Sequence, residues 1–582
     1  MYFFFKIVLF VCSSNACLYA NEVCLNNNKP LYLHRKIVKT DAPKGGTLRL
    51  AGVGSFDNLN MFSMTGIPFP YLWMCYETLL IESSLEHGVL YPWLCSKVTY
   101  DLKTITFHLK NDIFFHSGKK MDSKDIQKTF EVLKKHGSLK YQSILHNISN
   151  IEIKSPHEVV IHFSPLKSVR SVQLFIRQLS HIPILSAKQL DIVNFNNSGM
   201  AILDGTGPYK VKTALVGKSV ELEKNLYYWA EKNKDGRGKN NFSNIIIDLY
   251  KNQDVCYQSF LAKKFDVFFE TNPKRWNKNH KKSSQKKDFA TAELQLKKPW
   301  AIRSVVLNLR KKNLQDKNLR KAILMLIEPE YINQLFFDHD MKVVDEIISV
   351  FKKQIQIEEL DSHYFQQSEF DSLKANVSPL TQKNKLLWSA MVSQINASKK
   401  YLMQSGYNFE NKILYDKNMQ PIHLNLMLKD PSLLKVANFL KFLLQKIGIK
   451  LNIMLYDSIV YESVVNKLDF DLLFYSWLQI DPVDLKKSFE IFKSTNVQST
   501  TNIAGISDVS IDECVDQLDS VHDGAVVEKA LDQLKKKIED TYAIKTLFSD
   551  NNVRIMYWPD RVSFPRLHPS ADMNIMSRGW SS

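Results

Sequence analysis

Residues 104–109 alternate. Ile105, Phe107 and Leu109 fall on one side of an extended chain, and Thr106, His108 and Lys110 on the other, which predicts a strand with one buried face. Phe114 and Phe115 follow the Asn111-Asp112 break, and Ser117-Gly118 predicts a turn. Asp122 stands three residues before Asp125, a carboxylate form of the capping box, so a helix should start there. Ile126, Phe130 and Leu133 carry it at helical spacing, and Gly137 stops it.

The same reading places further elements downstream. Val159 to Phe163 is a strand. Asp316 can cap a helix that carries Leu319, Ile323 and Leu326. Asp430-Pro431 supplies an N-cap and a proline at the first helical position. Val436, Leu440, Leu443 and Ile447 then share one face, and Gly448 ends the helix. Ile449 to Tyr456 alternates as a strand with Leu451, Ile453 and Leu455 inward, and Tyr461 to Lys467 is a short helix. Asp469 to Trp477 is almost continuously apolar, as a strand buried on both faces would be. Strand, helix and buried strand in succession argue a parallel α/β lobe. Residues 333–400 carry no readable motif.

Composition narrows the class. The 582 residues are 45% apolar and 24% charged, which suits two to four globular domains and suggests neither disorder nor a repeat array. Residues 1–20 (MYFFFKIVLFVCSSNACLYA) read as a secretory signal peptide ending at Ala20, too short to span a bilayer. No later apolar run approaches the roughly 20 residues a transmembrane helix needs. Cys24, Cys75, Cys95, Cys256 and Cys514 remain, odd in number and widely spaced, so neither a disulfide framework nor a CxxC metal site is indicated. A Cys75–Cys95 bridge stays open beside the reading of buried thiols.

The net charge of +17 admits an anionic partner or a basic drift spread over the surface; no single motif concentrates it, which favours drift. The densest basic run, Lys274 to Lys287, holds one aromatic, Trp276, whereas nucleic-acid grooves interleave several. It reads as a solvated helix or loop, and no nucleic-acid partner is expected.

Catalytic and cofactor motifs fail on inspection. Gly52-Val53-Gly54 follows a strand, but Asp57 stands at the third glycine place and no helix opens to hold a pyrophosphate. Gly217-Lys218-Ser219 lacks the first glycine of a phosphate loop, having Lys212 there. There is no G-x-S-x-G, no H-E-x-x-H and no paired Cys and His with an orienting residue. No catalysis, cofactor or metal is expected.

The 107–126 stretch resembles the signature F-x-L-R-x-x-x-x-F-H-D-G-x-P-V-T-A-x-D-V of the family 5 extracellular solute-binding proteins, the peptide-binding components of ABC importers. Phe107, Leu109, Lys110, Phe115, His116, Gly118, Met121, Asp122, Ser123, Asp125 and Ile126 stand in register. Pro43-Lys44-Gly45-Gly46-Thr47-Leu48-Arg49, Phe56-Asp57-Asn58-Leu59-Asn60 and Gly205-Thr206-Gly207-Pro208-Tyr209 resemble further family markers, the first two most like the microcin C and oligopeptide branch. Asn502 to Gly505 and Ile511 to Leu518 resemble a later one.

The resemblance implies an α/β, two-lobed periplasmic binding protein of type II, in the large peptide-binder subclass with an extra subdomain. Lobe one would take 43–80, 201–300 and 546–582, the subdomain 81–200 and lobe two 301–545. It implies a periplasmic monomer that captures a peptide or peptide-like ligand and passes it to an inner-membrane permease driven by a cytoplasmic ATPase. A nickel chelate, haem or sugar on the same fold, or a scaffold with no transported ligand, is the alternative. The ligand would lie between the lobes and add a strand to them. By family position it would meet Ser55, Phe56, Asp57 and Asn58 in lobe one, and Ser476, Trp477, Gln479, Asp481 and Asn502 in lobe two. Asp481 could pair with a ligand ammonium or be a turn residue before Pro482, and Trp477 could stack on ligand or fill the lobe core.

Overall fold

Three larger sheets organise the chain. The structure, a computed structural model, describes Cys24–Leu25 and residues 42–563 apart from 64–65, 83–87, 167, 192–194, 196–198, 234–235, 237, 278–287, 296–300, 338, 345–378, 479–484, 519–523 and 551. The expected signal peptide, most of the 274–287 basic run, Gln479 and Asp481 lie outside the described residues.

The first sheet has seven strands in the spatial order Ala290–Gln295, Asn552–Tyr557, Val267–Phe269, Thr47–Val53, Asn244–Tyr250, Ser219–Lys224 and Tyr209–Leu215. Its centre is parallel, Thr47–Val53 running with both Asn244–Tyr250 and Val267–Phe269. The second sheet has six, in the order Lys342–Val343, Ile544–Asp550, Ala301–Leu307, Leu472–Leu478, His423–Leu428 and Lys450–Leu455. His423–Leu428 runs parallel to Lys450–Leu455 and to Leu472–Leu478, as the strand–helix–strand pattern required, whereas Ala301–Leu307 and Ile544–Asp550 run antiparallel to their neighbours. The lobe is therefore mixed rather than parallel. The expected boundary at 546 falls inside Ile544–Asp550, and the chain rejoins the first sheet at Asn552.

The chain passes between the two sheets after Gln295 and after Asp550, and the described residues that flank the two passages are paired. Gln295 pairs with Asn552 at the end of the first sheet, and Ala301 with Asp550 at the start of the second.

The third sheet, Cys95–Tyr100, Thr104–Leu109, Glu158–Phe163 and Ile148–Ser155, is antiparallel and lies within residues 81–200, the stretch expected to form the subdomain. Ile105, Phe107 and Leu109 are buried, on the face their alternation assigned. They join one apolar core with Leu48 and Leu50 of the first sheet, so subdomain and lobe one are fused. The second lobe carries separate cores on the two faces of its sheet.

The capped helix forms as its sequence dictates. The Asp122 carboxylate accepts the Lys124 N–H at 2.8 Å, and Asp125 accepts the Asp122 N–H at 2.9 Å. Asp125 is fully buried and also takes the Lys119 ammonium at 2.6 Å and the Ala187 N–H at 2.8 Å, so one carboxylate ties its own helix, the preceding turn and the start of the short helix Ala187–Leu190. Gly118 turns the chain at φ 82°, a left-handed value that suits glycine. Asp316 and Asp430 cap their helices through the Asn318 and Ser432 N–H groups. One expectation fails: Leu455 is 45% exposed, because Lys450–Leu455 is an edge strand whose far end reaches the cleft. Cys75 and Cys95 are free, buried thiols, each pushed up to about 12 by burial.

Candidate functional site

Strand direction decides where a ligand can go. Val53, Tyr250, Leu428 and Leu455 end parallel strands of the two lobes, and all four line one cleft of about 1960 Å³. Ligands of open α/β sheets bind outside such carboxyl ends, where loops and helix N-termini converge. The subdomain closes one side through Lys140, Ile144, Leu174, Arg177, Gln178 and His181.

The inner strand of lobe two, Leu472–Leu478, has an unusual edge. Its whole length pairs with Ala301–Leu307 on one side. On the other, the only partners among the described residues are Leu426 and Met427, opposite Leu472 and Leu473. From Phe474 onward that edge faces the cleft, which Phe474, Tyr475, Ser476 and Trp477 line. The Tyr461 hydroxyl donates to the Phe474 carbonyl at 2.9 Å, a local partner where a strand neighbour would otherwise stand.

The seven site residues expected from sequence that fall among the described residues separate into two groups. Ser55, Ser476 and Trp477 line the cleft. Trp477 spans both of its readings: its indole is 6% exposed, packs edge-on to Tyr475 at 4.8 Å and donates to Ser304 Oγ at 3.1 Å, yet its rim reaches the cleft. Phe56, Asp57, Asn58 and Asn502 are not among the lining residues. Phe56 is fully buried against Phe69. Asp57 accepts the Ile67 N–H at 2.6 Å and Asn58 the Asn60 N–H at 2.6 Å, so both hold the loop that presents Ser55. Asn502 is fully buried and bonds Ile506 N–H and C=O and the Lys493 carbonyl at 2.7–3.0 Å, which positions Thr500 and Thr501 in the lining.

Sequence reading missed the charged lining. Arg177 forks onto Glu82 at 2.7–3.0 Å, Arg275 bonds Glu270 and Asp254, and Lys429 pairs with Glu462 at 2.7 Å. Lys140, beside the cleft, has its ammonium lowered below the ordinary lysine value by desolvation and then by Lys487. Lys140 belongs to a helix of the subdomain, Leu139–Leu145, and Lys487 to one of lobe two, Leu485–Phe489.

Away from the cleft, the family-like markers meet in one buried knot. Glu77 accepts Trp93 Nε1, the Tyr228 hydroxyl and Trp229 Nε1 at 2.8–2.9 Å; burial raises its pKa and these donors partly offset that. Lys110, at the arginine position of the signature, lies 4.1 Å from the Trp229 ring centroid. His116 Nε2 bonds the Gly207 carbonyl at 3.1 Å, a packing role. A side chain at Gly205 would sit 2.2 Å from the Cys75 carbonyl oxygen, and at Gly207 2.5 Å from that of Met74.

Residues 89–499 match the protein family described as bacterial extracellular solute-binding proteins, family 5 Middle. The chain belongs to this family. Relatives and solved structures agree. A probable peptide-binding protein, YejA, of Agrobacterium fabrum is 24% identical over 591 residues, covering 94% of this chain and 91% of that one. The oligopeptide-binding protein AppA of Bacillus subtilis, solved with a nonapeptide, superposes with a TM-score of 0.70 at 18% identity, covering 93% of this chain and 99% of AppA. NikZ of Campylobacter jejuni, solved with Ni(L-His), gives 0.68 at 16% identity, covering 92% and 99%. The fold of this family 5 protein is thus the two-lobed binding-protein fold, shared by chains solved with different ligands. The family consists of solute-binding receptors. Among the described residues, no helix is long and apolar enough to cross a membrane.

Proposed function

We propose that this chain is a receptor for a peptide or peptide-like solute. In this reading it works outside the cytoplasm, reached through the leader at residues 1–20, and hands its ligand to a membrane permease driven by a cytoplasmic ATPase. The observation that carries the peptide reading is the open edge of Leu472–Leu478 in a cleft large enough for several residues. An extended peptide can complete such an edge with main-chain hydrogen bonds, which bind it without reading its side chains. Ser55, across the cleft at the end of the first sheet, would meet the other side of the same peptide. The paired crossings at 295–301 and 550–552 would let the lobes close over it. The printed ligand of AppA and the description of the Agrobacterium relative support the same class. Asp481 as the partner of a ligand ammonium, and the microcin C-like branch, remain part of this proposal.

Thermal unfolding of the mature chain with and without a tryptic peptide pool tests it. A ligand at about 100 times its dissociation constant stabilises by ~2.7 kcal/mol, a shift of several degrees. Native mass spectrometry should then show peptide-sized adducts. A shift with a nickel chelate or haem and none with peptide would overturn the peptide reading.

A further inference from the structure

The charges lining the cleft do not balance. Eight lysines and arginines face four carboxylates among the described lining residues, a ratio of two to one, where the whole chain has 77 against 60. The carboxylates are also already engaged. Asp254 pairs with Arg275 and Glu462 with Lys429, while Asp430 and Asp457 accept the Ser432 and Val460 N–H groups at 2.9 and 3.0 Å. Lys140, Lys251 and Lys435, by contrast, have no carboxylate partner among the described residues. They come from three bodies: Lys140 from the subdomain, Lys251 from the end of the first sheet and Lys435 from lobe two. Helices Gln253–Leu261, Leu434–Lys446 and Ser458–Asn466 also begin in or beside the lining, adding the positive ends of their dipoles.

We propose that the cleft selects an acidic peptide, whose side-chain and terminal carboxylates are taken by Lys140, Lys251 and Lys435. This rests on the peptide-receptor reading and narrows it. The three ammonium groups sit on separate walls, so one polyanionic ligand can engage them together only when the lobes are near. Such a ligand would also relieve the repulsion between Lys140 and Lys487 across the cleft. Strand addition would fix the backbone, and the lysines would choose among sequences.

Two pools of tri- to nonapeptides, identical except that glutamate in one is glutamine in the other, provide the test. Calorimetric titration at low and high salt should show the glutamate pool binding about tenfold tighter or more, with the preference shrinking as salt rises. The triple variant Lys140→Gln, Lys251→Gln, Lys435→Gln should bind the two pools equally, both more weakly because their terminal carboxylates lose the same ammonium groups, and should unfold at the wild-type temperature. Equal binding of the two pools overturns the inference and leaves the peptide receptor standing. Binding of neither pool overturns both. A preference for glutamate that survives the triple variant overturns the assignment to these three lysines.

Discussion

Two regions of this molecule carry opposite kinds of information. The knot around Glu77, Trp93, Tyr228 and Trp229 gathers the family-like markers at Lys110, His116 and Gly205–Gly207, and none of these residues lines the cleft. The cleft wall is built from Lys140, Lys251, Arg303, Lys435 and Ser476, none of which belongs to a contiguous motif apart from Ser476 beside Trp477. The knot is constrained by backbone crowding and by a buried carboxylate that needs three donors. Such demands admit few residues, so they leave a readable signature. The cleft constrains only charge and shape, which many sequences satisfy.

The sharpest way to break this comparison is Gly207→Val. Its Cβ would lie 2.5 Å from the Met74 carbonyl oxygen, and neither backbone can yield cheaply. A loss of about 3 kcal/mol or more in denaturant unfolding, or failure to fold, is expected. An unchanged midpoint would show that the knot is not the constrained region. Glu77→Ala comes next. It leaves two indole N–H groups and a phenol buried without their acceptor and should cost about 3 kcal/mol by the same measurement. Asp125→Ala removes the capping box and a fully buried carboxylate that pairs with the half-buried Lys119, and should cost about 2 kcal/mol.

The cleft should answer differently. Lys251→Gln is expected to change unfolding by no more than about 0.5 kcal/mol while weakening the binding of acidic peptide measured by titration. A large stability loss there would erase the distinction between the regions.

The smallest effect is a pH dependence in the knot. Burial holds His116 below its ordinary 6.5 in the folded chain, so the neutral ring is favoured there. Its contribution is present above the unfolded pKa and is lost as pH falls through the folded one. His116→Gln, which can still donate to the Gly207 carbonyl, should flatten the stability profile on the acid side of neutrality by less than about 1 kcal/mol. Urea unfolding across that range measures it.

The same contrast explains what could be read in advance. The strand Thr104–Leu109 and the helix Ser123–His136 follow from alternation and from one capping pair, both local properties. Leu455 looked buried because alternation records which face a residue takes, not whether its strand lies at an edge. The antiparallel course of Ala301–Leu307 depends on a pairing with Ile544–Asp550, far away in the chain, and no local pattern encodes it. Phe56, Asp57 and Asn58 carry a family resemblance that points to ligand contact, but a loop that ties itself and a loop that grips ligand use the same residue types. Lys140, Lys251 and Lys435 are each ordinary surface lysines until the fold brings them around one cleft.

Hydrogen exchange across the cleft tests the central claim most directly. Amide protons of Phe474 to Trp477 and of Val53 to Phe56 should gain protection together when a bound peptide is added, because one strand would engage both lobes. Protection confined to one lobe, or none at the open edge despite measurable binding, would contradict strand addition and the receptor mechanism built on it.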